Sequence, residues 1–210
     1  YNFGNNGTGV NVYVMDTGIR STHTDFGGRV VFGIDTIKDG KNGDDCDGHG
    51  THVAGTIGGL LYGVAKGVTL HNVRVLGCTG TGSTSGIIEG VNWITANRTG
   101  PSVVNMSLGG GYSPSFNTAI ANSIASGVTY AIAAGNDNTD ACDASPASAP
   151  NAITVGSSTM FATNPATDTR STFSNWGTCV DVFAPGSFIV SAAITSDTAS
   201  RTISGTSMAT

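Results

Sequence analysis

The chain alternates short apolar, β-branched runs with segments of helical period. Gly9-Val10-Asn11-Val12-Tyr13-Val14-Met15 alternates at period two and reads as a strand ending at Asp16-Thr17-Gly18. Residues 69–76 and 102–106 read as further strands, and Val128–Ala134 and Ala152–Gly156 are buried apolar runs of the same kind. Helical patterns lie between them. Ile87, Val91 and Ile94 follow the Ser83-Thr84-Ser85 capping cluster, and a helix opens near His49 and runs through Val53 and Ile57. Ser113-Pro114 predicts an N-cap followed by proline at the first helical position, with Ile120 and Ile124 on one face and Gly127 at the end. Strands alternating with helices predict an α/β fold with a mainly parallel central sheet flanked by helices. In such sheets the site lies at the carboxyl ends of the strands. Asp16, the Gly77–Gly82 loop, Ser107 and Asn136 all follow predicted strands. No linker or repeat interrupts residues 1–210, which read as a single domain.

Composition narrows the class. Of 210 residues, 11% are charged, 39% are apolar and 31 are glycine, which points to a compact, tightly turned protein with a near-neutral surface. A net charge of −5 without a Lys/Arg run argues against nucleic-acid partners. No apolar stretch reaches membrane-spanning length, so no membrane span is expected. Cys46, Cys78, Cys142 and Cys179 form no CxxC, so zinc is disfavoured. Their even number favours two disulfides and an oxidising compartment, with three pairings open. The chain starts at Tyr1 without initiator Met or signal-peptide pattern and reads as a processed protein or a fragment.

Candidate chemistry is concentrated in three glycine-flanked segments: Met15-Asp16-Thr17-Gly18, Gly48-His49-Gly50-Thr51-His52 and Gly205-Thr206-Ser207-Met208-Ala209. An Asp before Thr-Gly suits a turn, but a carboxylate there could also orient a histidine. His49, between glycines at a helix start, is exposed enough to act as a base. His52 reads as structural, and His23 and His71 carry no supporting context. His49 and His52 lack the glutamate of a zinc-binding HExxH pattern. Ser207 enters an apolar helical run, where helix N–H groups can steady negative charge. Gly80-Thr81-Gly82-Ser83-Thr84-Ser85-Gly86 also follows a strand, but its GxGxxxG spacing and the absence of a following acid argue against a dinucleotide site.

These segments, in the order Asp, His, Ser, resemble the subtilisin superfamily of serine peptidases, and within it the proteinase K group with its secreted bacterial two-disulfide members. Tyr62-Gly63-Val64-Ala65, Ser107-Leu108-Gly109-Gly110-Gly111, Ala133-Ala134-Gly135-Asn136 and Phe173-Ser174-Asn175-Trp176-Gly177 extend the match from about residue 8 to the end. The resemblance implies a three-layer subtilisin-like fold and a secreted, extracellular serine endopeptidase. Ser207 would be the nucleophile, His49 the base and Asp16 the group orienting it. Asn136 and the Ser207 N–H would be oxyanion donors. Gly80, Thr81 and Gly82 with Ser107, Leu108 and Gly109 would sandwich an extended peptide substrate. Ala133, Ala134 and Gly135 would line an uncharged primary pocket preferring apolar or aromatic side chains.

The same resemblance implies the pairings Cys46–Cys78 and Cys142–Cys179, and a structural Ca2+ held by Asp181 with the carbonyls of Pro150 and Ala152. Val53 stands where proteinase K has a free cysteine, so no thiol sensitivity is expected. The acidic loop Asp39, Asp44 and Asp45 is expected to bind a second calcium or to form a solvated charge cluster. Residues 161–170 look longer than the loop usual in the family. The Asn105 sequon lies in a predicted buried strand and carries no meaning as a glycosylation site. The resemblance also implies a monomer, a pro-segment that aids folding and inhibits, and a chain cut short at both ends, unstable alone. A catalytically inactive peptide-binding module and a serine esterase are the competing functions. The missing Gly-x-Ser-x-Gly elbow disfavours the esterase.

Overall fold

The structure, a computed structural model, describes residues 4–160 and 168–210. They fall into two compact units: the chain up to Asn105 with Val190–Arg201, and Met106–Ile189 with Thr202–Thr210.

In the first unit, β1 (Asn11–Asp16), β2 (Val30–Asp35), β3 (Thr69–Arg74) and β4 (Ser102–Met106) lie in the order β4-β1-β3-β2, every pair parallel. Val12, Tyr13, Val14 and Met15 are all buried, so β1 is covered on both faces. That is the condition under which a parallel sheet forms. α1 (His49–Gly58) packs on β1 and β3, and α2 (Thr84–Asn97) packs on β1 and β2. The Ser83 hydroxyl accepts the Gly86 N–H and starts α2, and Ile87, Val91 and Ile94 form its buried stripe. Strand β2 is not among the strands read from the sequence, although Val30-Val31-Phe32 is an apolar run. Its residues are half-buried or exposed, and a register shift between Phe32 and Ile34 breaks its alternation.

The second unit contains β5 (Gly110–Gly111), β6 (Thr129–Ala133), β7 (Ala144–Ser145), β8 (Ile153–Met160), β9 (Asp168–Arg170) and β10 (Val182–Pro185). Here β6, β8 and β10 run parallel in that order, β9 lies antiparallel on β8, and β5 pairs antiparallel with β7. α3 (Pro114–Ala125) begins as the sequence predicts, with Ser113 as N-cap and Pro114 at the first position. The short α4 (Thr206–Ala209) contacts β6, β8 and β10. A separate ribbon joins β11 (Ile189–Ala192) to β12 (Ser200–Ile203). Each unit holds one disulfide, Cys46–Cys78 in the first and Cys142–Cys179 in the second, as the resemblance implies. Among the described residues no helix is long and apolar enough to cross a membrane. Residues 161–167, most of the loop expected to be long, lie outside the described residues.

Candidate active site

Asp16 is the last residue of β1, at the carboxyl edge of the first unit's sheet, and has no solvent exposure. Its main-chain carbonyl accepts the N–H groups of Val75 and Leu76, the first residues after β3, which anchors the strand end. Its carboxylate takes the Thr17 N–H at 2.7 Å on Oδ1. His49, the first residue of α1, donates from Nδ1 to both carboxylate oxygens, at 2.7 and 2.9 Å. A carboxylate only accepts, so the contact sets the tautomer and leaves Nε2 as the basic nitrogen. Glycine at position 50 makes this approach possible. A Cβ there would collide with the Gly18 carbonyl and lie 3.0 Å from the Asp16 Cβ. Burial alone would push the imidazole down. The Asp16 charge and hydrogen bond, with the charges of Asp47 and Asp45, outweigh it and hold His49 above its ordinary value.

The acidic loop is only partly solvated, with Asp39 and Asp44 exposed and Asp45 buried. Asp39 chelates the guanidinium of Arg74 with both oxygens, at 2.7 and 2.9 Å. Asp45 is buried and hydrogen-bonded through both of its oxygens within the chain. The three carboxylates do not gather as a metal site among the described residues. Arg74 was not singled out from the sequence. It is fully buried at the end of β3, pairs also with Asp35 at 2.9 Å, and donates to the Thr17 carbonyl at 3.1 Å. No motif marks it, because it is one polar residue among several in β3.

In the second unit, Asn136 follows β6 by three residues. Its Oδ1 accepts the Thr206 N–H at 2.8 Å and the Thr206 hydroxyl at 3.0 Å. That fixes the amide and turns its Nδ2 away from Thr206. Ser207 is half-buried at the second position of α4. Its hydroxyl donates to the Ser107 carbonyl at 3.3 Å, and the Ser107 hydroxyl donates to the Ser207 carbonyl at 2.9 Å. A cavity of about 230 Å3 is lined by Gly109, Ala133, Ala134, Gly135 and Asn136. It is wider than the sequence predicts: Gly110, Ala144, Ser145, Ala147, Asn175 and the exposed acid Asp137 also line it.

Asn175 shapes the loop beside that cavity. It is buried, accepts the Asp137 and Thr139 N–H groups on Oδ1, and donates to the Ala134 carbonyl from Nδ2. Its motif, Phe173-Ser174-Asn175-Trp176-Gly177, was visible in the sequence without a role attached. Gly135 stands at φ +103°, and a Cβ there would strike Asn175 Nδ2.

Gly80, Thr81 and Gly82 lie in the exposed loop after β3, and Asp47 Oδ2 stands 3.7 Å from where a Gly80 Cβ would be. Leu108 is half-buried. His52 is buried and contacts the Arg201 carbonyl through Nε2 at 3.2 Å, a structural role. His23 caps a short turn, and His71 bonds Asn11 and stacks on Tyr13. Asp181 and Thr154 bond reciprocally, and Asp181 Oδ2 takes the Thr154 N–H at 2.8 Å. Pro150 is exposed and Ala152 buried just before β8. Among the described residues no three His, Cys, Asp or Glu side chains cluster as a metal site would require.

Comparison with known proteins completes the description. The chain is 58% identical over 204 residues to the alkaline serine exoprotease A of Vibrio alginolyticus, covering 97% of this chain and 37% of that protein. It is 57% identical over 210 residues to the extracellular serine proteinase of Thermus sp. (strain Rt41A), covering all of this chain and 50% of that one. The chain thus spans about half the length of these curated relatives, or less. The solved structure of a cold adapted subtilisin-like serine proteinase superposes with a TM-score of 0.93 at 55% identity, over all of this chain and 74% of that one. The α/β, subtilisin-like fold expected from the sequence is therefore this chain's fold. Residues 7–210 match the model of the subtilase family, so the chain belongs to the subtilase family.

Proposed function

We propose that the chain carries the catalytic machinery of a secreted, extracellular serine endopeptidase, with residues 1–210 acting as one peptidase domain. The observation that carries this reading is the two-oxygen hydrogen bond from His49 to the fully buried Asp16. In the proposed reaction Ser207 Oγ attacks the scissile carbonyl carbon. His49 Nε2 takes the hydroxyl proton and hands it to the leaving amine as the C–N bond breaks, leaving an acyl-enzyme. Water, deprotonated by the same nitrogen, then frees the acyl group and regenerates Ser207. Asp16 stabilises the imidazolium that forms in each half. Asn136 Nδ2 and the Ser207 N–H hold the oxyanion.

The substrate would bind as an extended strand along Gly80–Gly82 and Ser107–Gly109. Its primary side chain would enter the cavity of small residues at Ala133–Gly135, which favours apolar and aromatic groups. Protein substrates, a pro-segment that assists folding, and a monomeric state complete the proposal.

Treating the full-length protein with a fluorophosphonate is expected to label Ser207 alone and to stop peptide hydrolysis. Labelling that persists in Ser207→Ala overturns the assignment. Peptide binding without turnover in the unaltered protein points instead to a binding module, and turnover of esters without amides to an esterase.

Structural calcium belongs to the same proposal. Asp181 uses one oxygen on Thr154 and would offer its other oxygen to the ion, with the Pro150 and Ala152 carbonyls as the further hard-oxygen donors the family resemblance implies. Chelation is expected to lower the Tm of the full-length protein by several degrees, and Asp181→Ala to abolish that sensitivity. An unchanged Tm on chelation rules the ion out.

A further inference from the structure

We infer that Asp45, outside the proposed triad, is a positioning residue that locks the Asp16–His49 pair by tying the end of β1 to the first turn of α1. The inference rests on the peptidase reading for its catalytic consequence and on the first unit's geometry for its cause. Asp45 is 5% exposed and accepts five hydrogen bonds. Oδ1 receives the Thr17 hydroxyl at 2.9 Å, the Gly48 N–H at 2.7 Å and the Asp47 N–H at 3.1 Å. Oδ2 receives the Thr51 N–H at 2.9 Å and the Thr51 hydroxyl at 2.6 Å. The Thr17 hydroxyl in turn accepts the Gly50 N–H at 2.9 Å.

These contacts bracket both members of the pair. Thr17 follows Asp16 and donates its N–H to the Asp16 carboxylate. Gly48 and Gly50 flank His49 on either side. The arrangement also answers a defect in α1. Its N-cap is Gly48, which has no side chain to accept the free N–H groups of the first turn. Asp45, three residues earlier, accepts two of them and places a negative charge at the helix N-terminus, where the dipole favours it. A carboxylate is required because both oxygens face only donors. An asparagine would turn its NH2 toward one set of them and leave those donors unpaired in a buried site.

Asp45 also acts through charge. The charged and titratable groups around His49 are Asp16 at the end of β1, Asp45 and Asp47 in the preceding loop, His52 one turn along α1, and Arg201, whose guanidinium lies beside Gly48. Asp45 adds to the acids that favour the imidazolium.

The test uses Asp45→Asn and Thr17→Val in the full-length protein. Asp45→Asn is expected to lower kcat by about tenfold to a hundredfold with KM nearly unchanged, the size of effect a misplaced catalytic group produces. The acid limb of the kcat/KM profile, expected above the ordinary imidazole value of about 6.5 in the unaltered protein, is expected to move to lower pH in Asp45→Asn. Thr17→Val keeps the charge but removes the link to Gly50. It is expected to lower kcat without moving the limb. Should Asp45→Asn fail to fold, Thr17→Val decides alone. Wild-type kcat and an unmoved limb in Asp45→Asn, or wild-type kcat in Thr17→Val, overturn the proposal.

NMR titration of the His49 ring reads the same lock without turnover. An unchanged titration midpoint and Nδ1–H resonance in Asp45→Asn overturn the proposal too. Failure of the unaltered protein to cleave any peptide would instead overturn the peptidase reading.

Discussion

Ser207→Ala in the full-length protein is expected to lower kcat by about 10^6-fold and to leave KM within a few-fold. Losing the same serine costs subtilisin, a member of this family, about that much. The size follows from what the hydroxyl does. Without Oγ no acyl-enzyme forms, and the buried Asp16, the oriented His49 and the donors have no nucleophile to serve. The residual rate, about 10^3- to 10^4-fold over water in such enzymes, comes from the oxyanion donors and substrate binding. Steady-state kinetics on a peptide anilide would read it, with active-site titration to exclude contaminating wild type. A loss below about tenfold would mean that another group attacks. His49→Ala should fall nearly as far, and the double variant scarcely further, because the residues act as a unit.

Asn136→Ala is expected to reduce kcat by about 10^2- to 10^3-fold, again with little change in KM, because the oxyanion exists only in the transition state. The structure complicates the interpretation, since Asn136 has two ends with different jobs. Oδ1 holds the Thr206 N–H and hydroxyl, and Nδ2 is the proposed donor. Alanine removes both. Asn136→Asp keeps an acceptor for Thr206 but puts a negative oxygen where the oxyanion would develop, so its kcat should fall at least as far. An active Asn136→Asp enzyme would show that the residue works by anchoring Thr206, and the donor assignment would be lost.

The elements legible in the sequence were those whose signals are local. β1, β3, β4 and β6 show as apolar runs, and α2 and α3 as capped, periodic stretches. The proposed catalytic residues were visible because each sits in a glycine-framed segment, and the Gly50 contact shows why one of those glycines is needed. What escaped was set by tertiary contacts. β2 lies half-exposed at a sheet edge with a register shift, and β10 has exposed or half-buried residues, so neither shows a period. Arg74 takes its meaning from Asp35, 39 residues away, and Asp45 joins Thr17, 28 residues away, to the nearby start of α1, and no motif encodes either link. The pairing within the acidic loop is hidden for the same reason. Counting carboxylates does not reveal that an arginine and a helix terminus already occupy two of them.

The Gly135–Asn175 contact bears on how such a pocket can diverge. With the chain at φ +103° and the Asn175 amide against it, position 135 offers no neighbouring variant that keeps the loop intact. Asn175 is equally constrained, because its amide holds three main-chain groups of that loop. Of the other residues lining that cavity, Ala147 belongs to a buried core cluster against which Ala144 packs, and Ala133 is buried, which leaves the exposed Asp137 as the position freest to vary. A saturation library should show this as intolerance at positions 135 and 175 beside tolerance at 137, a cavity whose frame is fixed from within and whose rim is open to change.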